Sequence, residues 1–492
     1  MNEIYENAIT KTGWGLCNYF IIGLCSMCTM AEAGASLVVV ILTPLLACDR
    51  AYGKQDVMTL NAVSSLGMAV GALIFGTLGD SNGRKLQIPT TMIVIFCASI
   101  GLSFSQSYIL IGFCIFILGV GVSGNNAILR VYMIECLPAK RRGICLAFLD
   151  FMWIAGMILA LAMSWWLVPS IIRMLGNEFR PSSWRVLAGI SGAPSLIMAC
   201  ATSLLPSSPR YLVSRRRPVQ ALSVLQQIFA INHANHADNF PQCNLDGDVT
   251  VDEDPEGTAS TLVTVKRHFS KTWKRIVLVC SPKFMKNTLL LLVIRALLFP
   301  GFIWMSLWTT HLTHVTSNRE NTTLTLSEHC VTDTGDIVMS FLHNCHVANY
   351  SFFEYSIILS SGYALGECLL MLGVDAIGKK LSIITSSLTG GTSLIALIFL
   401  FPNAPVLSIT FLASYSIMHT ITTILLLENY PTSVRGTMTG LTGVLPHLVS
   451  FFIKFLMHIP CTTTLYIVSS LLIGAAIPAL LIPDFTNAPM QE

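Results

Sequence analysis

Asp80-Ser-Asn-Gly83-Arg84-Lys85 and Glu135-Cys-Leu-Pro138-Ala-Lys-Arg-Arg142-Gly143 each recur about 295 residues further along the chain. The first is answered by Asp375-Ala-Ile-Gly378-Lys379-Lys380 and the second by Glu428-Asn-Tyr-Pro431-Thr-Ser-Val-Arg435-Gly436. Order and spacing are kept, and every copy stands where one apolar run ends and the next begins. That pattern describes a membrane protein made of two homologous halves, an organisation found mostly in transporters.

Working outward, the 492 residues are 53% hydrophobic and 11% charged, too apolar for a soluble protein of this length. Apolar runs of about 20 residues, enough to cross a hydrocarbon core of roughly 30 Å, recur throughout. They predict an all-α membrane protein of twelve transmembrane helices in two pseudo-symmetric six-helix halves. The first six spans are 16–46, 58–78, 86–104, 108–132, 144–167 and 185–205. The second six are 287–308, 353–372, 381–401, 405–427, 437–458 and 462–482. The expected domains are an N-terminal half (1–205), a polar linker with short helices (206–286), a C-terminal half (287–483) with an outer loop at 309–352, and a tail (484–492). No cleavable signal peptide is expected, because the first apolar run is long enough to be a span.

The positive-inside rule sets the orientation. With both termini cytoplasmic, only Arg50, Lys54, Arg173, Arg180, Arg185 and Arg319 fall outside, and Arg130, Arg295 and Lys454 fall within spans. The other basic residues lie inside, including the short-loop clusters Arg84-Lys85, Lys140-Arg141-Arg142 and Lys379-Lys380. The glycosylation sequons at Asn321 and Asn349 then fall in the outer loop, beside Cys330 and Cys345, a candidate disulfide in an oxidising compartment. In the linker, Pro218 to Ile231 reads as a short helix with Leu222, Leu225 and Ile228 on one side. The stretch 262–278 reads as an interfacial helix, with Val265, Phe269, Trp273 and Ile276 along one face and basic residues elsewhere. Asp246, Asp248, Asp252 and Asp254 lack the Gly and closing Glu of a calcium hand, and no metal or cofactor is expected.

The repeated motifs suit a gate. A transporter needs two conformations a few kcal/mol apart, each closed on one side. Ion pairs between helix ends form and break without disturbing an apolar core. Asp80, Gly83, Arg84, Glu135 and Arg142, with Asp375, Gly378, Lys379, Glu428 and Arg435, are the candidate cytoplasmic gate.

Gly76-Thr-Leu-Gly-Asp80-Ser-Asn-Gly83-Arg84-Lys85 resembles the loop signature of the major facilitator superfamily. Tyr132-Met-Ile-Glu135-Cys-Leu-Pro138 and Pro206-Ser-Ser-Pro209-Arg210-Tyr211 resemble signatures of its sugar-porter-type branch. The long outer loop between spans seven and eight, and Met30-Ala31-Glu32-Ala33, resemble the synaptic-vesicle-glycoprotein-related (SVOP-like) members. The resemblance implies that Asp80, Glu135, Arg142, Asp375, Glu428 and Arg435 form a charge network stabilising an outward-open state. Ser207 stands where sugar porters carry Glu, and span seven lacks their paired glutamines, so a hexose is not the expected substrate.

Ionisable groups within spans cost roughly 2.5–3.5 kcal/mol on insertion scales, so they face a partner or a wet cavity. Glu32 and Arg295, on spans the resemblance places face to face, are the first substrate or coupling candidates, either as an ion pair or flanking the solute. Arg130 and Asp150 form a second candidate pair, ten residues either side of Lys140 on antiparallel spans, with a structural role favoured. His419, His447, Glu367 and Lys454 carry less weight. No nucleotide loop, metal cluster or nucleophile triad suggests an enzyme. The expected function is therefore a secondary or facilitative transporter of a small polar or charged organic solute. It is expected to be monomeric, embedded in the lipid bilayer of the plasma membrane or a secretory vesicle, with a proton or other cation as the candidate coupling partner, and without nucleic-acid partners. The alternative is a non-transporting receptor or trafficking protein on the same fold.

Overall fold

The computed structural model describes residues 2–50, 52–138, 141–174, 183–234, 236–241, 270, 273–279, 281–317, 350–400, 403–453 and 461–482. The outer-loop residues Asn321, Cys330, Cys345 and Asn349, and Lys454, lie outside them. The described chain is helical. A short α1 (Asn2–Lys11) precedes six long helices: α2 (Leu16–Arg50), α3 (Lys54–Asn82), α4 (Arg84–Phe104), α5 (Tyr108–Cys136), α6 (Arg142–Met174) and α7 (Ser183–Ala201). The linker supplies α8 (Pro209–Ser214) and α9 (Pro218–His233). The second set is α10 (Pro282–Ser317), α11 (Tyr350–Ile377), α12 (Lys379–Phe399), α13 (Ala404–Glu428), α14 (Arg435–Ile453), α15 (Cys461–Gly474) and α16 (Ala476–Leu481). The twelfth expected span is the α15–α16 pair, interrupted near Ala475.

Eleven spans among the described residues are long and apolar enough to cross a membrane. The remaining one, α14, opens with Arg435-Gly-Thr-Met-Thr-Gly440-Leu-Thr-Gly443, whose threonines and glycines lower its hydropathy. Those small residues serve packing. Between lipid-soluble helices, close backbone approach replaces the hydrophobic drive. At Gly76 of α3, an added Cβ would lie 2.5 Å from the Gly436 carbonyl and 3.0 Å from Gly440 Cα. The α3–α14 seam is one of two lines along which the halves meet; α6 against α11 is the other.

Several helices run past the apolar stretch that predicts them, because the motif residues continue the helix as its polar end. In both halves the motif glycine then breaks the chain direction. Gly83 has φ +92° and ψ 148°, and Gly378 has φ +87° and ψ 146°. This backbone region is essentially closed to residues with a Cβ, which explains why both copies keep glycine. The predicted linker helix forms as α9, with Pro218 in its first turn and Leu225 and Ile228 buried. Of the predicted interfacial helix, 273–279 is helical, with Trp273 exposed; most of the rest lies outside the described residues.

Large apolar side chains such as Phe104, Ile109, Phe113, Ile197 and Leu372 are exposed around the bundle, as a lipid-facing surface requires. Over the end bearing the repeated motifs, hereafter the motif end, Tyr5, Ala8 and Ile9 of α1 pack with Leu212, Leu225 and Phe229 of α8 and α9.

Candidate solute site and gate

At the motif end, the network centres on two buried carboxylates of the first half. Asp80 points at the N-terminus of α14. It accepts from Gly436 N (3.0 Å), Thr437 N (2.6 Å) and Thr437 Oγ1 (2.8 Å). The first N–H groups of a helix have no intrahelical partner and carry its positive dipole end, so an anion from the other half is held there. Glu135, fully buried at the end of α5, takes Arg84 at 3.0 Å and Arg435 of the second half at 3.4 Å. Its other oxygen accepts from Ser208 Oγ at 2.7 Å. Arg84 also reaches Asp80 (3.0 Å) and the Thr432 carbonyl (2.8 Å), tying α4 to the second half.

This wiring differs in part from the expected network. Arg142 does not join the motif carboxylates: its Nε donates to the carbonyls of Ile134 and Leu137, capping α5, and its terminal nitrogens hold Glu6 of α1. Glu428 pairs with Lys379 at 2.6 Å, both in the second half, whereas Arg435 crosses to Glu135. The Asp375 side chain lies outside the described side chains. Glu6 was not singled out from sequence, and Arg210 was noted only within the Pro206–Tyr211 signature and not as part of the gate. Arg210 bonds Glu6 (2.7 Å) and Thr432 Oγ1 (3.0 Å), and Tyr5 donates to the Glu135 carbonyl at 2.9 Å. Burial pushes the Glu6 carboxyl up, and the guanidiniums of Arg142 and Arg210 more than offset this, leaving it below the ordinary carboxylate range.

Deeper in the bundle, the intramembrane charges form a hydrogen-bonded chain. Glu32 of α2 accepts from Asn125 (2.7 Å) and Asn126 (3.3 Å) of α5. Arg130 donates to Asn126 Oδ1 and to Asp150 Oδ1 on α6. Thr420 Oγ1 of α13 lies 2.7 Å from Asp150 Oδ2 and 2.8 Å from Glu367 Oε1 on α11. The chain thus starts on α2 and ends on α11, crossing from one half to the other. Arg130 and Asp150 are brought together as expected. Glu32 and Arg295 form no ion pair: two amides satisfy Glu32, and Arg295 donates to Thr423 Oγ1 at 2.7 Å. Asn125, Asn126 and Thr420 were missed, because uncharged polar residues are common in helices and nothing local marks these three.

Beside Arg295, the second half carries aromatic rings. Phe302 stacks on Tyr415 with centroids 5.3 Å apart, Tyr363 meets both edge-on, and His419 stacks on Tyr415. His447 lies 3.3 Å from Ser123 Oγ across the halves. Among the described residues, no group of three or more His, Cys, Asp and Glu is placed to hold a metal ion.

The profile of the family described as "Sugar (and other) transporter" matches residues 24–287, more than half of the chain. The chain belongs to this family. Similar proteins include synaptic vesicle glycoprotein 2B of Homo sapiens, 26% identical over 316 residues, which are 62% of this chain and 46% of that protein. Synaptic vesicle glycoprotein 2A of Rattus norvegicus is 30% identical over 233 residues, 46% of this chain and 31% of that one. The chain thus spans less than half the length of these relatives. Among solved structures, the proton:xylose symporter XylE bound to 6-bromo-6-deoxy-D-glucose gives a TM-score of 0.68 at 15% identity, covering 96% of this chain and 97% of that one. Inward-open XylE from E. coli gives 0.60, also at 15% identity, covering 96% and 98%. These likenesses give the sugar transporter family member the major facilitator fold, a multi-pass membrane bundle of two halves.

Proposed function

We propose that the chain is a secondary transporter moving a small polar or charged organic solute by alternating access, its halves rocking about a site near mid-membrane. The observation that carries this reading is the buried hydrogen-bonded chain from Glu32 to Glu367, whose ends belong to opposite halves. Ionisable groups at this depth are costly unless they serve a solute or ion path. Arg295 supports a solute with a hydrogen-bond-accepting or anionic group. Its hydrogen-bond partner among the described residues is the neutral Thr423 hydroxyl, no carboxylate is paired with it there, and its buried Nε has no partner among them. A guanidinium fork suits a planar anion, and the rings of Phe302, Tyr363 and Tyr415 suit the carbon frame attached to it.

In this reading the motif end is cytoplasmic, as the distribution of Lys and Arg suggests, and the structure is the cytoplasm-closed member of the pair. Opening requires Asp80 to leave the α14 N-terminus and Arg435 to leave Glu135. The likeness to vesicle glycoproteins supports a plasma or vesicle membrane.

The test is untargeted solute profiling of cells, and of vesicles isolated from them, expressing the chain or Arg295→Ala at matched levels. A small set of solutes that shifts only with the intact chain establishes transport and names the substrate class. Profiles identical to those of cells lacking the chain, at several pH values, refute transport and leave the receptor or trafficking role; a shift shared by the chain and Arg295→Ala removes Arg295 from the site.

A further inference from the structure

We propose that the Glu367 carboxyl is a proton-binding site, occupied in this conformation, and that its proton ties the two halves together through Thr420 and Asp150. The proposal rests on the transporter reading for its purpose and on hydrogen counting for its substance. Thr420 Oγ1 is within hydrogen-bond distance of two carboxyl oxygens at once, Asp150 Oδ2 at 2.7 Å and Glu367 Oε1 at 2.8 Å. A threonine hydroxyl has a single hydrogen and donates once. An ionised carboxylate only accepts. One of the two carboxyls must therefore donate to the hydroxyl.

The surroundings decide which. Asp150 is ion-paired through its other oxygen to Arg130, and that guanidinium favours the ionised form. Glu367 has no such neighbour in contact: Oε1 meets Thr420, and Oε2 is buried without a partner among the described residues. The residue is 1% exposed. A neutral acid is the form such a place tolerates. The order is then Glu367 O–H to Thr420 Oγ1, Thr420 O–H to Asp150 Oδ2, and Arg130 N–H to Asp150 Oδ1. A metal ion does not fit between, because the oxygens are already in direct contact. Glu32 differs: each of its oxygens takes an amide N–H, so no contact requires a proton on it.

The charged and titratable groups around Glu367 come from every packed element. They are Asp150 on α6 with Arg130 of α5 behind it, His419 and Tyr415 on α13, Arg295 on α10 and, further along the chain of bonds, Glu32 on α2. Tyr363 and Cys368 flank Glu367 on α11 itself. When Glu367 releases its proton to water, one hydroxyl hydrogen remains for two carboxylates. The link from α6 to α11 loses a bond, and Asp150 and Glu367 repel. Proton binding thus favours the closed seam between α6 and α11, and proton loss favours its opening. By linkage, the conformation that opens this seam releases the proton, which makes the proton the coupling ion of the transport cycle.

The test is infrared difference spectroscopy of the purified full-length chain in lipid, titrated with pH, on wild type, Glu367→Gln, Glu32→Gln and Thr420→Val. The expected result is a carboxylic-acid carbonyl band at neutral pH that is absent in Glu367→Gln, present in Glu32→Gln and shifted in Thr420→Val, which loses its acceptor. Glu367→Gln keeps an N–H donor toward Thr420. Its halves should therefore stay closed at high pH, where spin labels at Asn82 and Ser433 on the motif end of wild type move apart. Absence of the band in wild type, its persistence in Glu367→Gln or its loss in Glu32→Gln overturns the proposal, as does an unchanged pH response of the spin-label distance in Glu367→Gln. Should Glu367→Gln not fold, an unshifted band in Thr420→Val is equally decisive. The band reports proton binding whether or not a solute moves. A negative solute profile with the band present defeats the transporter reading alone.

Discussion

Replacing Asp80 by Ala removes four contacts at once: Arg84 of its own half, and Gly436 N, Thr437 N and Thr437 Oγ1 of the other. A hydrogen bond to a charged group is worth about 1.5–3 kcal/mol, and members of one network do not add. Removing one partner of a buried pair costs about 3–5 kcal/mol. The lower figure applies, because Arg84 keeps Glu135 and the Thr432 carbonyl and is not stranded. About 3 kcal/mol corresponds to a change of roughly a hundredfold at 1.4 kcal/mol per factor of ten. The loss falls mainly on the closed arrangement, since three of the four contacts cross between halves. The amides of Gly436 and Thr437 lie in the first turn of α14 and have no intrahelical acceptor, so their protection reports Asp80 directly. Hydrogen–deuterium exchange of a peptide covering 436–444 should therefore speed up about a hundredfold in Asp80→Ala. Peptides from α7, remote from the seam, should be unchanged. Unaltered exchange at 436–444 would refute the capping account, and equal acceleration in α7 would mean general unfolding instead of release of the seam.

Glu6→Gln should free α1 from Arg142 and Arg210 at a cost of about 1–2 kcal/mol, given its partial exposure, seen as faster exchange of residues 4–11 at neutral pH. Because the folded Glu6 carboxyl lies below its unfolded value, its contribution is full above the unfolded value of about 4.3 and is lost as pH falls through the folded one. Acid should thus loosen α1 in wild type and not in the variant. Gly76→Ala should lower the melting temperature, since its Cβ meets backbone across the seam, at about 1–3 kcal/mol; Gly23→Ala, with nothing within 4 Å, should leave it unchanged. Gly83→Ala and Gly378→Ala should each cost about 1–3 kcal/mol from φ alone, and equal loss in both would reflect the repeated geometry.

The fold was legible because the lipid environment writes it into the sequence: spans need about 20 apolar residues, and polar motifs must fall between them. The repeated glycines and charges marked helix ends, and Gly83 and Gly378 adopt nearly the same backbone angles. What could not be read was pairing. Arg142 meets Glu6 across 136 residues, and Glu135 meets Arg435 across 300; charge pattern says that partners exist, not which. Glu32 drew attention because it is charged, yet its partners are neutral Asn125 and Asn126. Glu367 drew little, because its one hydrogen bond among the described residues is to a threonine that resembles every other hydroxyl in the helices.

The central claim is that the halves alternate about a mid-membrane site. The most direct measurement is pulsed electron spin resonance on two labelled pairs, Asn82 with Ser433 at the motif end and Gln55 with Asn403 at the opposite end, in wild type and Asp80→Ala. The account predicts two distances in each pair, with Asp80→Ala lengthening the first pair as it shortens the second. One fixed distance in both pairs, or both ends opening together, would contradict it.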